Sequence, residues 1–255
     1  MGIERKNIYR FKIIPSKDLS LIQQIKLVHK THSAYGYRRV AWELGINPKR
    51  SQRVMKLFQI RAPRRKTKHW CTRSTDHHNY SNIIRDIVPS RANEIWFSDV
   101  SYLKFQGRFW YLATIVDMLT RKVVAARVHK HHDRWLVLST IKQAIKQAVP
   151  KFFHTDQGTE FMARICTNFL EANGVKVSVS KKASPWQNGF QESFFGRFKD
   201  EFGDINRFET VGELIEEIYH QIDYYNYRRI HTALKMPPAV YAKQLSERCH
   251  QKWGA

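Results

Sequence analysis

The stretch Ile95-Trp-Phe-Ser-Asp-Val-Ser-Tyr-Leu-Lys-Phe105 decides the fold. It is rich in aromatic and branched residues, which suit a pleated backbone with packed faces. Gly107 marks a turn behind it, and two runs of similar texture follow, Phe109 to Val116 and Arg121 to Val128. Three consecutive hairpin-joined strands are expected. The texture then changes. Asp133 to Val149 reads as a helix with Leu136, Ile141, Ile145 and Ala148 turned inward, Lys151 to His154 as a short strand, and Glu160 to Ala172 as a second helix. Val175 to Val179 reads as a last strand and Gln187 to about Phe202 as a further helix. The order βββαβαβα predicts an α/β fold, a mixed sheet with helices on its faces.

Three carboxylates stand at telling places in this order. Asp99 lies within the first strand. Asp156 lies just past the short strand, in His154-Thr-Asp-Gln-Gly-Thr-Glu-Phe161. Glu192 lies on the following helix, in Ser184-Pro-Trp-Gln-Asn-Gly-Phe-Gln-Glu-Ser-Phe-Phe195. Ligand sites in such sheets gather where strand ends meet loops, so three acids far apart in sequence are expected to converge. A very basic protein has little reason to collect carboxylates beside buried strands unless they hold metal ions. Hard oxygen donors suit Mg²⁺ or Mn²⁺, and two ions about 3.5–4 Å apart would serve in-line displacement at phosphorus. Plainer readings exist: Asp156 as an Asx turn, Glu192 as a surface glutamate. Asp117 reads as a turn-stabilising residue beside Thr120, and Asp133 as a helix N-cap. Phe190, Phe194, Phe198 and Phe202, spaced by four, read as the core stripe of the last helix.

Composition narrows the partner. The 255 residues contain 44 Lys+Arg against 22 Asp+Glu, a formal charge of +22 and a pI near 10.1. Such a balance points to a polyanion, most commonly nucleic acid. Residues 1–93 carry 21 basic and 5 acidic side chains, so the excess is concentrated at the front. There is no long uninterrupted apolar segment and no signal-peptide h-region in the sequence, so a soluble cytoplasmic, nucleoid-associated protein without membrane contact is expected. Cys71, Cys166 and Cys249 are odd in number and far apart, which argues against a disulfide framework. No Cys-x-x-Cys accompanies His29 and His32 to complete a zinc site. His77-His78 and His131-His132 are assigned to solvated loops or element ends.

The front of the chain reads as helical. Leu21, Ile22, Ile25 and Val28 recur at helical spacing, and a short second helix is expected from about Tyr37 to Leu44, stopped by Gly45. Asn47-Pro48 supplies an N-cap with proline at the first helical position. The third helix would turn Val54, Leu57 and Phe58 inward, leaving Lys49, Arg50, Arg53 and Lys56 mostly outside. This reads as a helix-turn-helix unit with a basic outer helix, followed by Arg61-Ala-Pro-Arg-Arg-Lys-Thr-Lys68, a basic linker. The expected division is 1–60 helix-turn-helix, 61–92 linker, 93–220 catalytic core and 221–255 C-terminal tail.

Asp156 and Glu192 are separated by 35 residues. That spacing and the flanking motifs resemble the DDE transposases and retroviral-type integrases, specifically the OrfB-like proteins of bacterial insertion sequences encoded in two overlapping frames. The likeness runs from about Ile22 to Tyr241. It includes Tyr35-Gly-Tyr-Arg-Arg-Val40, the three acidic motifs, and Tyr225-Asn-Tyr-Arg-Arg-Ile-His-Thr-Ala-Leu234 with Pro237-Pro238. The resemblance implies a ribonuclease-H-like fold, Asp99, Asp156 and Glu192 as catalytic metal ligands for Mg²⁺ or Mn²⁺, and strand cleavage followed by 3′-hydroxyl strand transfer. It also implies DNA partners (element ends and target), a homo-oligomer pairing two ends, and an upstream-frame protein. Lys199, almost two turns after Glu192 and so on nearly the same helix face, matches a basic family position that contacts the element's end; an ordinary solvent-facing lysine is the other reading. Arg38, Arg39, Lys49, Arg50, Arg53, Arg64, Arg65, Lys66, Lys181, Lys182 and Asn188 are the remaining candidate DNA contacts. Asn188 could equally cap the helix that follows. Two other functions stay open at this point: a hydrolysis-only nuclease of the same fold, and a non-catalytic DNA-binding regulator or frame fragment.

Overall fold

The computed structural model describes residues 16–63, 80–180 and 189–253. The chain divides into two compact units, Met1–Arg64 and Arg65–Ala255.

Among its described residues the first unit contains three helices, α1 (Ser16–Thr31), α2 (Tyr37–Glu43) and α3 (Pro48–Leu57). Leu21, Ile22, Ile25 and Val28 bury the inner face of α1, as their spacing requires. Gly45 stands at φ +63°, where a Cβ would be strained, and ends α2 as expected. Asn47 accepts a hydrogen bond from the Lys49 N–H at 2.8 Å, with Pro48 behind it at the start of α3. One inward assignment changes. Ser51, Val54 and Met55 form the buried face of α3, while Leu57 is exposed. Positions i, i+3 and i+4 share one side of a helix, and Leu57, three after Val54 but only two after Met55, falls to the rim.

The second unit is built on a five-stranded sheet in the order β3-β2-β1-β4-β5. β1 (Ile95–Phe105), β2 (Arg108–Asp117) and β3 (Val123–His129) are antiparallel neighbours. β1 also pairs in parallel with β4 (Phe152–Thr155), which pairs in parallel with β5 (Lys176–Val179). The β1–β2 turn is Gln106-Gly107, both at positive φ, a two-residue connection whose twist matches the strands it joins. Alternation along the strands splits the core in two. Trp96, Val100 and Ile115 point toward α4 (Arg134–Ile145) and α5 (Arg164–Ala172), meeting Leu136, Ile141 and Leu170. Leu103, Leu112 and Val116 point toward α6 (Gly189–Phe202) and α7 (Val211–Tyr227), meeting Phe194, Phe198, Leu214 and Ile218. The element order is the expected one, and the last helix, α8, spans Pro238–Trp253. Among the described residues no helix is long and apolar enough to cross a membrane.

Three boundaries differ from expectation. Asp133 caps α4 by accepting from the N–H groups of Trp135 and Leu136, but α5 begins at Arg164, leaving Glu160 in a turn. Residues 80–92, expected in the linker, belong to the sheet unit: Ser81 O accepts from Val179 N, Ile83 N donates to Ser178 Oγ, and Ile84 is buried beside Ile95, Phe97 and Phe152. Residues 221–227 are no tail either, because α7 runs unbroken to Tyr227 and buries Ile222 and Tyr225. Asn226 uses its side-chain amide as a strand edge would, accepting from Val123 N at 2.9 Å and donating to Val123 O at 3.0 Å. Tyr225 donates to Arg121 O, and Arg229 grips Glu201 of α6 in a buried two-pronged pair at 2.6 and 2.7 Å.

Candidate active site

The register of the parallel strands brings the first two acids side by side. Phe97 is paired with His154, 57 residues later (154 − 97), and 156 − 99 gives the same offset. Continued one pleat past the last paired residues, this register sets Asp99 opposite Asp156. Alternation puts both on the face of Phe97 and Leu103, which is the α6 side. Asp99 accepts from the Val100 N–H at 2.8 Å, and across the antiparallel ladder its partner is Thr114. Asp156 accepts from the Gly158 N–H at 3.0 Å, closing an Asx-type turn at the end of β4.

The third acid arrives on α6, and the residue before it fixes where. Gln191 is fully buried: its Nε2 donates to Phe97 O at 2.6 Å, and its Oε1 accepts from Thr114 Oγ1 at 3.3 Å. The first turn of α6 is thus pinned over β1 and β2 beside Asp99, with Glu192 next in sequence and exposed. Phe194, Phe198 and Phe202 form the buried stripe. Phe190 sits at its end, edge-on to Phe97 and under the Arg121 guanidinium.

Electrostatics register the crowding. Burial first, then the Asp156 carboxylate, push the Asp99 carboxyl up to about 8, with Glu160 and Glu192 adding to the repulsion and the Val100 N–H opposing it. Burial and Glu160 also raise Asp156. Lys199 is exposed, partial desolvation of its ammonium lowers it, and the Asp99 charge works against that lowering. Among the described residues no three His, Cys, Asp or Glu side chains lie close enough together to hold a metal ion. The donor set still fits a hard divalent cation, because the neighbouring carboxylates disfavour one another's ionisation.

Sequence reading missed one wall of this site. Glu160 meets His132 Nε2 at 2.9 Å, His132 Nδ1 lies 3.3 Å from the Tyr102 hydroxyl, and the imidazole stacks on Tyr111 at 5.1 Å. The Glu160 hydrogen bond raises His132. Burial pushes Glu160 up, but the His132 hydrogen bond and charge, the Glu160 backbone N–H and the Thr159 hydroxyl together hold the carboxyl below its ordinary value. A Cβ at Gly158 would stand 2.6 Å from Glu160 Oε1, so a side chain there would displace the carboxylate from His132. His131-His132 gave no sign of this when assigned to solvent; the only signal was an acid four residues after Asp156. Asp117 takes the structural role expected of it, accepting from Thr120 N and Oγ1 and from Asn93 N.

The candidate DNA contacts divide. Arg38, Lys49 and Arg50 are exposed in the first unit. Arg39 is buried against the Tyr35 ring, and Arg53 commits both terminal nitrogens to the buried Asp18 at 2.7 Å, so these two serve the packing of the helices. Arg64, Arg65, Lys66, Lys181, Lys182 and Asn188 lie outside the described residues.

Comparison with known proteins places this geometry. The Integrase core domain family matches residues 89–185 and again residues 173–238. The transposase for insertion sequence element IS904 of Lactococcus lactis is 32% identical over 84% of this chain and 89% of its own length. The insertion element IS600 31 kDa protein of Shigella sonnei is 29% identical over 95% of this chain and 96% of its own. The cryoEM structure of the simian T-cell lymphotropic virus intasome in complex with PP2A regulatory subunit B56 gamma superposes at a TM-score of 0.53 and 16% identity, covering 86% of this chain and 74% of that one. That likeness shows a shared ribonuclease-H-like fold. With these matches, the chain belongs to the insertion-sequence transposases of the DDE transposase and integrase superfamily.

Proposed function

We propose that this transposase cuts a phosphodiester at each element end and joins the freed 3′-hydroxyl to target DNA, with Asp99, Asp156 and Glu192 as the catalytic ligands of Mg²⁺ or Mn²⁺, two ions in all. The observation that carries the reading is the register match of Asp99 with Asp156 beneath a helix pinned to the same strands one residue before Glu192. When bound, divalent cations neutralise the carboxylates, lower the pKa of an attacking oxygen and stabilise the leaving one. The chain's own work is to hold the acids on three rigid elements and the DNA strand against them. Lys199, on the acid side of α6, holds a phosphate there. In the first unit α2 and α3 act as the helix-turn-helix pair, with Lys49 and Arg50 at the start of α3 and Arg38 on α2 against phosphates. Arg64, Arg65, Lys66, Lys181, Lys182 and Asn188 extend the contact along the DNA. Pairing two element ends requires a homo-oligomer on DNA.

The test supplies an element-end oligonucleotide and a target plasmid with Mg²⁺. The wild-type chain yields joined products, and Asp156→Asn abolishes them while retaining DNA binding by anisotropy. Joining by that variant overturns the assignment. Cleavage by the wild type with no joined product would replace the transfer step with hydrolysis alone.

A further inference from the structure

We propose that Gln191 is a positioning residue for the third acid: its buried side-chain amide sets the register of α6 on β1 and β2, so that Glu192 stands at the height of Asp99. The inference rests on the reading of Glu192 as a metal ligand and extends it to a residue that touches neither metal nor DNA.

Gln191 is out of place by burial alone. The inner face of α6 is otherwise a run of phenylalanines, Phe194, Phe195, Phe198 and Phe202. Burying a primary amide among them costs free energy that a leucine or methionine of similar size would not. The amide recovers this cost through partners that belong to the site. Phe97, whose carbonyl it takes at 2.6 Å, is two residues before Asp99 on the same strand face, and it is the last β1 residue paired with β4. Thr114, which donates to Gln191 Oε1 at 3.3 Å and whose carbonyl lies 3.5 Å from Nε2, is the cross-strand partner of Asp99. One side chain therefore reads the position of both strands at the first acid and passes it to the next residue along the helix.

Apolar contact cannot do this. Hydrophobic burial is non-directional, and a stripe of similar rings tolerates a slide or small rotation of the helix. A slip of one residue moves a helical side chain by about 1.5 Å and swings it by about 100°, whereas metal–ligand distances tolerate about 0.2 Å. The far end of α6 is fixed independently, where Glu201 is held by Arg229 at 2.6 and 2.7 Å. The helix that carries Glu192 and Lys199 is thus tied down at both ends by directional polar contacts, with the greasy stripe between them.

The experiment uses the full chain and Mn²⁺ as the probe ion, its free concentration read by electron paramagnetic resonance. Gln191→Leu is expected to keep its thermal midpoint and its KM for element-end DNA. It should lower kcat for end cleavage tenfold or more and weaken Mn²⁺ binding at least fivefold. In a Glu192→Gln background the same substitution should leave Mn²⁺ affinity within twofold, because the ligand it positions is gone. Thr114→Val, which deletes one hydroxyl at nearly constant volume, should shift kcat and Mn²⁺ affinity in the same direction by threefold or more, and it serves as the test where the leucine variant does not fold. Affinity and kcat within twofold of wild type in the Gln191 or Thr114 variant overturn the proposal. If Glu192→Gln alone leaves Mn²⁺ affinity unchanged, the ligand reading of Glu192 fails first and takes the proposal with it, a result distinct from failure of the Gln191 variant alone.

Discussion

Replacing Asp99 by Asn should make the protein more stable in alkaline, metal-free buffer. The carboxyl is raised from 3.8 to about 8, so between those values the folded chain keeps a proton that the unfolded chain has lost. Stability then falls as pH rises, the slope following the excess of protons bound by the native state, and levels off above about pH 8 where both states are ionised. A shift of about four units corresponds to roughly 6 kcal/mol at 1.36 kcal/mol per unit. That is a ceiling, because Asp99 is only partly buried and water and side-chain reorientation relieve part of the repulsion. About 2–3 kcal/mol is the expected gain, or roughly 4–10 °C in Tm for a unit of this size. Thermal melts with EDTA from pH 4 to pH 9 measure it: the Tm difference between Asp99→Asn and wild type should be smallest at pH 4, grow with pH and then level off once the wild-type carboxyl is ionised in both states. Adding Mg²⁺ at pH 8 should raise the wild-type Tm and close most of the gap, because ligand binding to the native state stabilises it while the variant has lost a donor. A Tm difference that does not depend on pH, or a variant less stable than wild type at pH 8.5, would refute the claim that these acids are crowded.

Two further perturbations test the surroundings. His132→Gln should cost roughly 1 kcal/mol, read as Tm, between about pH 4.5 and 6.5. The raised His132 contributes fully below its unfolded 6.5 and loses its effect as pH climbs through its folded value, while the lowered Glu160 contributes above its unfolded 4.5 and loses its effect as pH falls through its folded value; equal losses at pH 5.5 and pH 9 would contradict the ion pair. Arg229→Met should cost about 3–5 kcal/mol in urea unfolding by stranding a buried carboxylate, and Glu201→Leu added to it should recover most of that; a single-variant cost under about 1 kcal/mol would show that Glu201 finds another partner.

Local signals in the sequence carried most of the fold. β1 begins and ends where its aromatic and branched texture does, and Gly45, Asn47 and Asp133 end or cap helices as read, because each acts on backbone within four residues of itself. Asp99 and Asp156 were legible as candidates for the same reason, each marked by a short motif. The partners that make them a site were not. His132 and Glu160 lie 28 residues apart, Gln191 and Phe97 lie 94 apart, and Asn226 and Val123 lie 103 apart. Pairings of that kind have no period, and a glutamine on an amphipathic helix reads as solvent-facing until the strand beneath it is known. The expected helix start at Glu160 failed similarly: helix propensity favours glutamate, but the His132 contact keeps it in the turn that follows Asp156.

These long-range polar pairs also explain how a site that works against its own stability can persist. Carboxylates gathered beside buried strands disfavour one another, and relaxation would proceed by letting the most mobile bearer move away. Asp99 cannot move, since it sits in the central strand of the sheet with β2 along one side. Asp156 is held through its turn, which His132 braces by way of Glu160. Glu192 is the free agent: it is exposed, and its helix rests on a slippery phenylalanine stripe. Directional restraints on that helix include the Gln191 amide at one end and the Arg229 grip at the other, and the second comes from the Tyr225-to-Arg229 segment at the C-terminal end of α7. On this argument the C-terminal motif bears on the proposed site through packing, because its Arg229 holds the helix that carries Glu192.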